Sequence, residues 1–257
     1  MDQALLPHEL HNGTGPVLVF LNSLGTTSRM WDRTRELLPG RAALTIELPG
    51  HFTGSVSPFS FDDIVESVAA VIRQTCPSPV VICGVSLGGS LAVALAARHA
   101  ALTSGIVVIN APTHSASPEF WLDRADIADR QGMEGFAAVL ADRWFLPGVP
   151  STLVESSRAD LLSLPAAGYA QACRAIAGLD VRDDAPLVSV PTVVLSAESD
   201  TAISPSDSAD FAAGIPSAVL VRTPGAHLLP IEAPEAVVDA LARVEAIRPE
   251  RRNGESD

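Results

Sequence analysis

The pentad Gly84-Val85-Ser86-Leu87-Gly88 carries the clearest chemistry in this 257-residue chain. It follows a β-branched run, Val80–Cys83, and opens a stretch of small apolar residues, Ser86–Ala100. A serine between two such elements sits on a sharp strand-to-helix turn that pushes its hydroxyl out above a sheet, and only glycine fits on either side. The backbone N–H of Leu87, at the start of the helix, points where an oxyanion forms when Ser86 attacks a carbonyl. The plainer reading is a glycine-rich turn with a capping serine; the strand–turn–helix setting argues against it.

A nucleophilic serine needs a base, and the base needs an orienting acid. Six histidines compete. His8 and His11 precede the first strong strand, His99 ends a buried helix, and His114 starts a long insertion. His51, in Leu48-Pro49-Gly50-His51, reads as a histidine bonding loop backbone. His227, in Pro224-Gly225-Ala226-His227-Leu228, lies after the last strand and before a helix, so it shares the carboxyl edge of a parallel sheet with Ser86. The acid should follow an intermediate strand. Asn110 ends Ile106–Ile109 and is not an acid. The next strand runs into Glu198-Ser199-Asp200, and Asp200 fits by loop position and by the chain order Ser, Asp, His. Glu198 is its local rival. The second oxyanion donor is expected from Leu21-Asn22-Ser23-Leu24-Gly25-Thr26, with the Leu24 N–H as candidate and Gly25 freeing the turn.

The elements that must hold these residues follow from the apolar pattern. Val17–Leu21, Ala43–Glu47, Val80–Cys83, Ile106–Ile109, Thr192–Leu195 and Ala218–Val221 are nearly continuous in Val, Ile, Leu and Ala. Such runs mark strands buried on both faces, hence a mostly parallel sheet covered by helices. Helices are expected over Phe61–Thr75, capped by Ser60, and over Ser86–Ala100, Asp207–Ala213 and Glu235–Ala246. Strand–helix alternation predicts a doubly wound α/β fold. From Thr113 to Gly178, about 65 residues lack a strand pattern and carry Trp121, Phe136, Trp144, Phe145 and Tyr169; this is too long for a loop and predicts an inserted helical cap. The expected division is a core of 1–112 and 179–248, a cap of 113–178 and a disordered tail of 249–257.

Composition excludes several functions. The net charge is −13, which opposes nucleic acid and anionic membrane surfaces. All 17 basic residues are arginine, so lysine-based chemistry (Schiff bases, a Walker-type phosphate loop) is absent. No metal-ligand spacing and no dinucleotide fingerprint occurs, so neither metal nor cofactor is expected. Cys76, Cys83 and Cys173 form no CxxC pair and read as reduced thiols. No segment is long and apolar enough to span a bilayer. Residues 1–10 hold no Lys or Arg, unlike a secretory signal. A cytoplasmic protein acting on a small molecule is the expectation.

The sequence resembles the α/β-hydrolase superfamily, and more narrowly the 3-oxoadipate enol-lactonases of aromatic-compound breakdown. The likeness is carried by Phe20-Leu-Asn-Ser-Leu-Gly-Thr-Thr with Met30-Trp31-Asp32, by Gly-Val-Ser-Leu-Gly-Gly, by Asn110-Ala111 and Asp142-Arg143-Trp144-Phe145, by Gly168-Tyr169-Ala170, and by Ala226-His-Leu-Leu-Pro-Ile-Glu-Ala-Pro-Glu235. It spans roughly residues 10–245. It departs at Pro49-Gly50-His51-Phe52-Thr53-Gly54-Ser55, where the family usually has Gly directly after His, and at Ser90, where Met is common. The resemblance implies hydrolysis of a small enol-lactone bearing a carboxylate. It makes Trp144 a pocket wall and Arg143 a candidate carboxylate contact. Other ester, thioester or carbon–carbon hydrolyses, or a non-catalytic binder on the same fold, are the alternatives.

Overall fold

Strands β1 (His8–His11), β2 (Thr14–Leu21), β3 (Arg41–Ile46), β4 (Val80–Val85), β5 (Thr103–Ile109), β6 (Thr192–Ala197) and β7 (Ala218–Thr223) form one sheet in the order β1-β3-β2-β4-β5-β6-β7. The computed structural model describes residues 5–53, 57–136, 143–216 and 218–247. The expected tail 249–257, Asp142, and Gly54 and Ser55 of the 49–55 turn lie outside them. All pairings are parallel except β1 with β3. The six expected strands are present with ends shifted by a few residues, and the fold is α/β as anticipated. β4 and β6 are buried at every residue, whereas β7 at the sheet edge is only half-covered.

β1 was not anticipated. His8-Glu9-Leu10-His11 has no apolar run, and it is ordered by pairing with β3, from His8 opposite Ile46 to His11 opposite Ala43, with His11 also bonded to Arg35 at 2.7 Å. Its charged, exposed outer rim discourages further strand pairing.

Leu21 pairs with Gly84, Val85 with Ile109, Ile109 with Leu195, and Leu195 with Val221. The loops after β2, β4 and β5 therefore start within about one residue of the same level, while β6 and β7 run on to Ala197 and Thr223 before their loops begin. The chain steps from β2 outward to β3 and then returns to the other side of β2 as β4. The crevice between the ends of β2 and β4 is thus a topological switch point, where α/β sheets bind ligands.

Helices α1 (Asp32–Glu36), α2 (Phe61–Thr75), α3 (Leu87–Arg98), α4 (Pro118–Gln131), α5 (Ser151–Ser163), α6 (Ala166–Ala177), α7 (Pro205–Ala213), α8 (Leu229–Glu232) and α9 (Pro234–Ala246) complete the fold. α7 and α9 start earlier than expected because each takes a proline into its first turn, where the missing N–H costs nothing. α3 is buried from Leu87 to Ala96. Its end is anchored by Arg98, which donates to both oxygens of Asp184 at 2.9 and 2.7 Å and to Asp62 at 2.6 Å. Between β5 and residue 178 the described residues form helices α4, α5 and α6 and no named strand.

α2 shows how local sequence sets an element's start. Ser60 Oγ accepts from the Asp63 N–H at 3.1 Å, and Asp63 Oδ2 accepts from the Ser60 N–H at 2.8 Å. Behind this reciprocal cap, Ile64, Val65, Val68 and Ile72 face the core. Replacing Ser60 by Ala should lower stability by about 1 kcal/mol. In urea titrations the midpoint should fall while the slope stays unchanged.

Candidate active site

Ser86 occupies the β4–α3 turn with φ 54° and ψ −115°, a conformation that side chains rarely adopt. The turn is tight because backbone passes close by: a Cβ on Gly84 would lie 2.1 Å from the Gly88 carbonyl oxygen. The Ser86 N–H donates to the Ile109 carbonyl at 2.9 Å, tying the turn to β5. Ser86, His227 and Leu24 line one cavity of about 270 Å³.

His227 Nδ1–H donates to Asp200 Oδ2 at 2.7 Å, and both residues are buried. The other oxygen of Asp200 accepts from the N–H groups of Ala202 and Ile203 at 2.7 and 3.1 Å. The carboxylate is thus held by its own loop and by the imidazole. With Nδ1 donating, Nε2 is the ring nitrogen left to accept a proton. Glu198, the rival in the sequence, is exposed and makes no such contact.

Three groups that sequence reasoning did not assign hold the His227 loop. Asn110, wholly buried at φ 44°, donates through Nδ2 to the carbonyls of Ala226 and His227 at 3.1 and 3.0 Å. Its Oδ1 accepts from the Ala197 N–H at 2.9 Å, so one amide joins the ends of β5 and β6 to the histidine loop. Glu232 accepts from the Ala226 N–H at 2.8 Å and from the Leu146 N–H at 3.1 Å. The Leu228 N–H donates to the Trp144 carbonyl at 3.2 Å. The available signal for Asn110 was an uncharged polar residue directly after an all-apolar strand.

The loop after β2 is braced from two sides. Asn22 accepts from the Trp31 indole N–H at 3.0 Å and donates to Glu47 at 3.2 Å; Glu47 in turn accepts from the Ser28 N–H at 2.9 Å. Gly25, at φ +84°, donates its N–H to His51 Nε2 at 3.3 Å. His51 Nδ1–H donates to the Pro49 carbonyl at 3.2 Å. The histidine read as a loop brace thus holds the Leu24–Gly25 segment. The N–H groups of Leu24 and Leu87 donate to no acceptor among the described residues.

Trp144 and Arg143 both reach the cavity wall. Arg143 Nη2 donates to the Thr201 carbonyl at 3.5 Å. Arg124, from α4, lines the same cavity. Cys83 and Cys173 are buried away from it, and burial pushes the Cys173 thiol up to about 12. Among the described residues no group of three or more His, Cys, Asp or Glu side chains is arranged to hold a metal ion.

The model of the Alpha/beta hydrolase family matches residues 18–240. The chain belongs to this family. Among individual α/β-hydrolase relatives, 3-oxoadipate enol-lactonase 2 of Acinetobacter baylyi is 28% identical over 235 residues, covering 89% of this chain and 88% of that protein. The crystal structure of the enol-lactonase from Burkholderia xenovorans LB400 superposes with a TM-score of 0.88 at 28% identity, over 94% of this chain and 96% of the other. A thermophilic esterase from Thermogutta terrifontis, solved with malate bound, superposes with a TM-score of 0.85 at 26% identity, over 94% and 93%. The resemblance to enol-lactonases therefore extends across nearly the whole chain.

Burial lowers the His51 imidazole from its usual 6.5 to about 4, because a cation there would be desolvated and would lose its bond from Gly25. The unfolded chain takes up this proton below pH 6.5 while the folded one does not until about pH 4. His51 therefore leaves stability intact above pH 6.5 and erodes it as pH falls toward 4. Gln can both accept from Gly25 and donate to Pro49, without titrating. Between pH 7 and 4.5, wild type should lose roughly 2–3 kcal/mol more unfolding free energy than His51→Gln. Denaturant titrations at the two pH values measure this, and equal losses would remove His51 as the cause.

Proposed function

We propose that this α/β hydrolase is a serine hydrolase of carboxylic esters, with a small enol-lactone carrying a carboxylate as its substrate. The observation that carries the reading is the 2.7 Å bond from His227 to Asp200 beside Ser86 and Leu24 in one cavity. The enol-lactonase relatives, similar along nearly the whole chain, support the lactone. In this reading residues 1–112 and 179–248 form the catalytic core, and 113–178 form a cap that supplies Trp144 and Arg143 to the substrate. Three unpaired cysteines are in keeping with a cytoplasmic setting, and no described helix is long and apolar enough to cross a membrane.

The proposed chemistry runs through an acyl-enzyme. His227 Nε2 takes the Ser86 proton as Oγ attacks the lactone carbonyl. The N–H groups of Leu24 and Leu87 hold the oxyanion. The ring C–O bond then breaks, and the leaving enolate oxygen takes the proton from His227. Asp200 keeps the imidazole in the required tautomer and stabilises its cation. Water, deprotonated by His227, attacks the acyl carbonyl and releases Ser86. The freed enol tautomerises to a ketone, which pulls the reaction forward.

Ser86→Ala should keep the fold, since Ala carries the same Cβ in the turn, and should lower kcat by about 10⁴–10⁶. Asp200→Asn should also fold and lose most activity, because the amide favours the wrong imidazole tautomer. Steady-state kinetics on an enol-lactone and on simple aryl esters, with circular dichroism as the fold check, test both. Labelling of wild type but not Ser86→Ala by a serine-directed phosphonate separates an enzyme from a binder. Near-normal turnover in Ser86→Ala would overturn the reading.

A further inference from the structure

We propose that Arg124 forms a built subsite for a carboxylate on the substrate, and that it, more than Arg143, makes this enzyme prefer acidic esters. The inference rests on the ester-hydrolase reading above and names the group that selects the substrate. Arg124 projects from α4 into the cavity that also exposes Ser86 and His227. Its Nε donates to the Tyr169 phenol oxygen at 2.7 Å, and Nη2 donates to the same oxygen. Its guanidinium carbon lies 5.7, 5.0 and 5.5 Å from the ring centroids of Trp121, Phe136 and Tyr169. The side chain is therefore held by the Tyr169 phenol oxygen, by the neutral, buried Cys173 thiol beside it and by three aromatic faces.

What this cage withholds is a counter-charge. Among the described residues no carboxylate lies within ion-pair distance of Arg124, while Arg29 pairs with Asp160 and Arg174 with Asp126 and Asp129. Burial raises the Tyr169 phenol above its ordinary range, so it accepts as a neutral group and cancels no charge. A guanidinium has five N–H donors, and Tyr169 takes two. Cys173 lies against the same group, and the N–H groups that remain belong to a charged side chain lining the cavity that Ser86 also lines. In a chain of net charge −13, a small anion is repelled at long range and must be compensated locally. A planar fork with a fixed orientation suits a carboxylate. Arg143 lacks this construction: among the described residues its guanidinium makes only a 3.5 Å contact to the Thr201 carbonyl.

The test uses 4-nitrophenyl monoesters of succinate, glutarate and adipate, each beside its methyl ester, so that chain length scans the distance from Ser86 to the subsite. Wild type should favour at least one free acid over its methyl ester. Arg124→Gln should lower kcat/KM for that acid by about 10–100-fold and leave the methyl ester little changed. Tyr169→Phe, which keeps the ring and frees the guanidinium, should give a smaller loss on the acid alone. Arg143→Met should affect acid and ester alike. The methyl ester guards against a disturbed cap, since misfolding would lower both substrates together. Equal losses on both esters in Arg124→Gln, no acid preference in wild type, or an acid-specific loss in Arg143→Met instead would overturn the assignment. If wild type turns over neither ester, turnover of an enol-lactone decides the hydrolase reading separately, and calorimetric titration with glutarate and adipate decides the subsite. Binding of either dianion that weakens about tenfold or more in Arg124→Gln supports it, and absent or unchanged binding overturns it.

Discussion

The site depends on how closely the backbone at the start of α3 is pressed against the end of β2. A methyl group on Gly88 would lie 2.2 Å from the Leu21 carbonyl oxygen, so no other residue fits there without moving a strand. That contact brings the first turn of α3 beside the loop holding Leu24, and it leaves Ser86 no room but its left-handed backbone. Strain of this kind costs on the order of 1–3 kcal/mol. It persists because α3 is buried for three turns and clamped at its far end by Arg98. The core thus stabilises a geometry that the local chain would not choose.

Around that fixed point the neighbouring loops are arranged by polar groups rather than by apolar packing. Asn110, Glu232, Asn22 and His51 are all buried or half-buried, and each bridges segments far apart in sequence. They join the ends of strands whose register already fixes their heights. The sheet sets the height of each loop, and the side-chain amides, carboxylates and imidazoles set its direction. The wall formed by α4 and Trp144, by contrast, brings aromatic rings to the cavity and holds a guanidinium among them.

This division explains what could be read from sequence. The six apolar strands were legible because burial on both faces demands continuous Val and Ile. Ser86, Asp200 and His227 were legible as candidates because the order of strands and turns leaves few positions at the carboxyl edge. β1 was not, since its residues are mostly polar and its pairing with β3 is a long-range contact. Asn110 was set aside because it is no acid, while its role in bridging three segments depends on long-range geometry that no local spacing encodes. Arg124 was not singled out in the sequence, and only its surroundings separate it from its neighbours: Arg174 meets acids, Arg130 curls back to its own helix, and Arg124 meets a phenol and three rings.

Where the 113–178 segment meets the histidine loop, the hydrogen bonds among the described residues come from the segment's main chain. Glu232 receives the N–H of Leu146, and the carbonyl of Trp144 receives the N–H of Leu228. Those bonds read the segment's path, while the buried side chains of Trp144 and Phe145 read its bulk. A segment grafted from another member of the fold would need to match both course and bulk there, and Glu232, which receives its main chain, would already be waiting in the recipient.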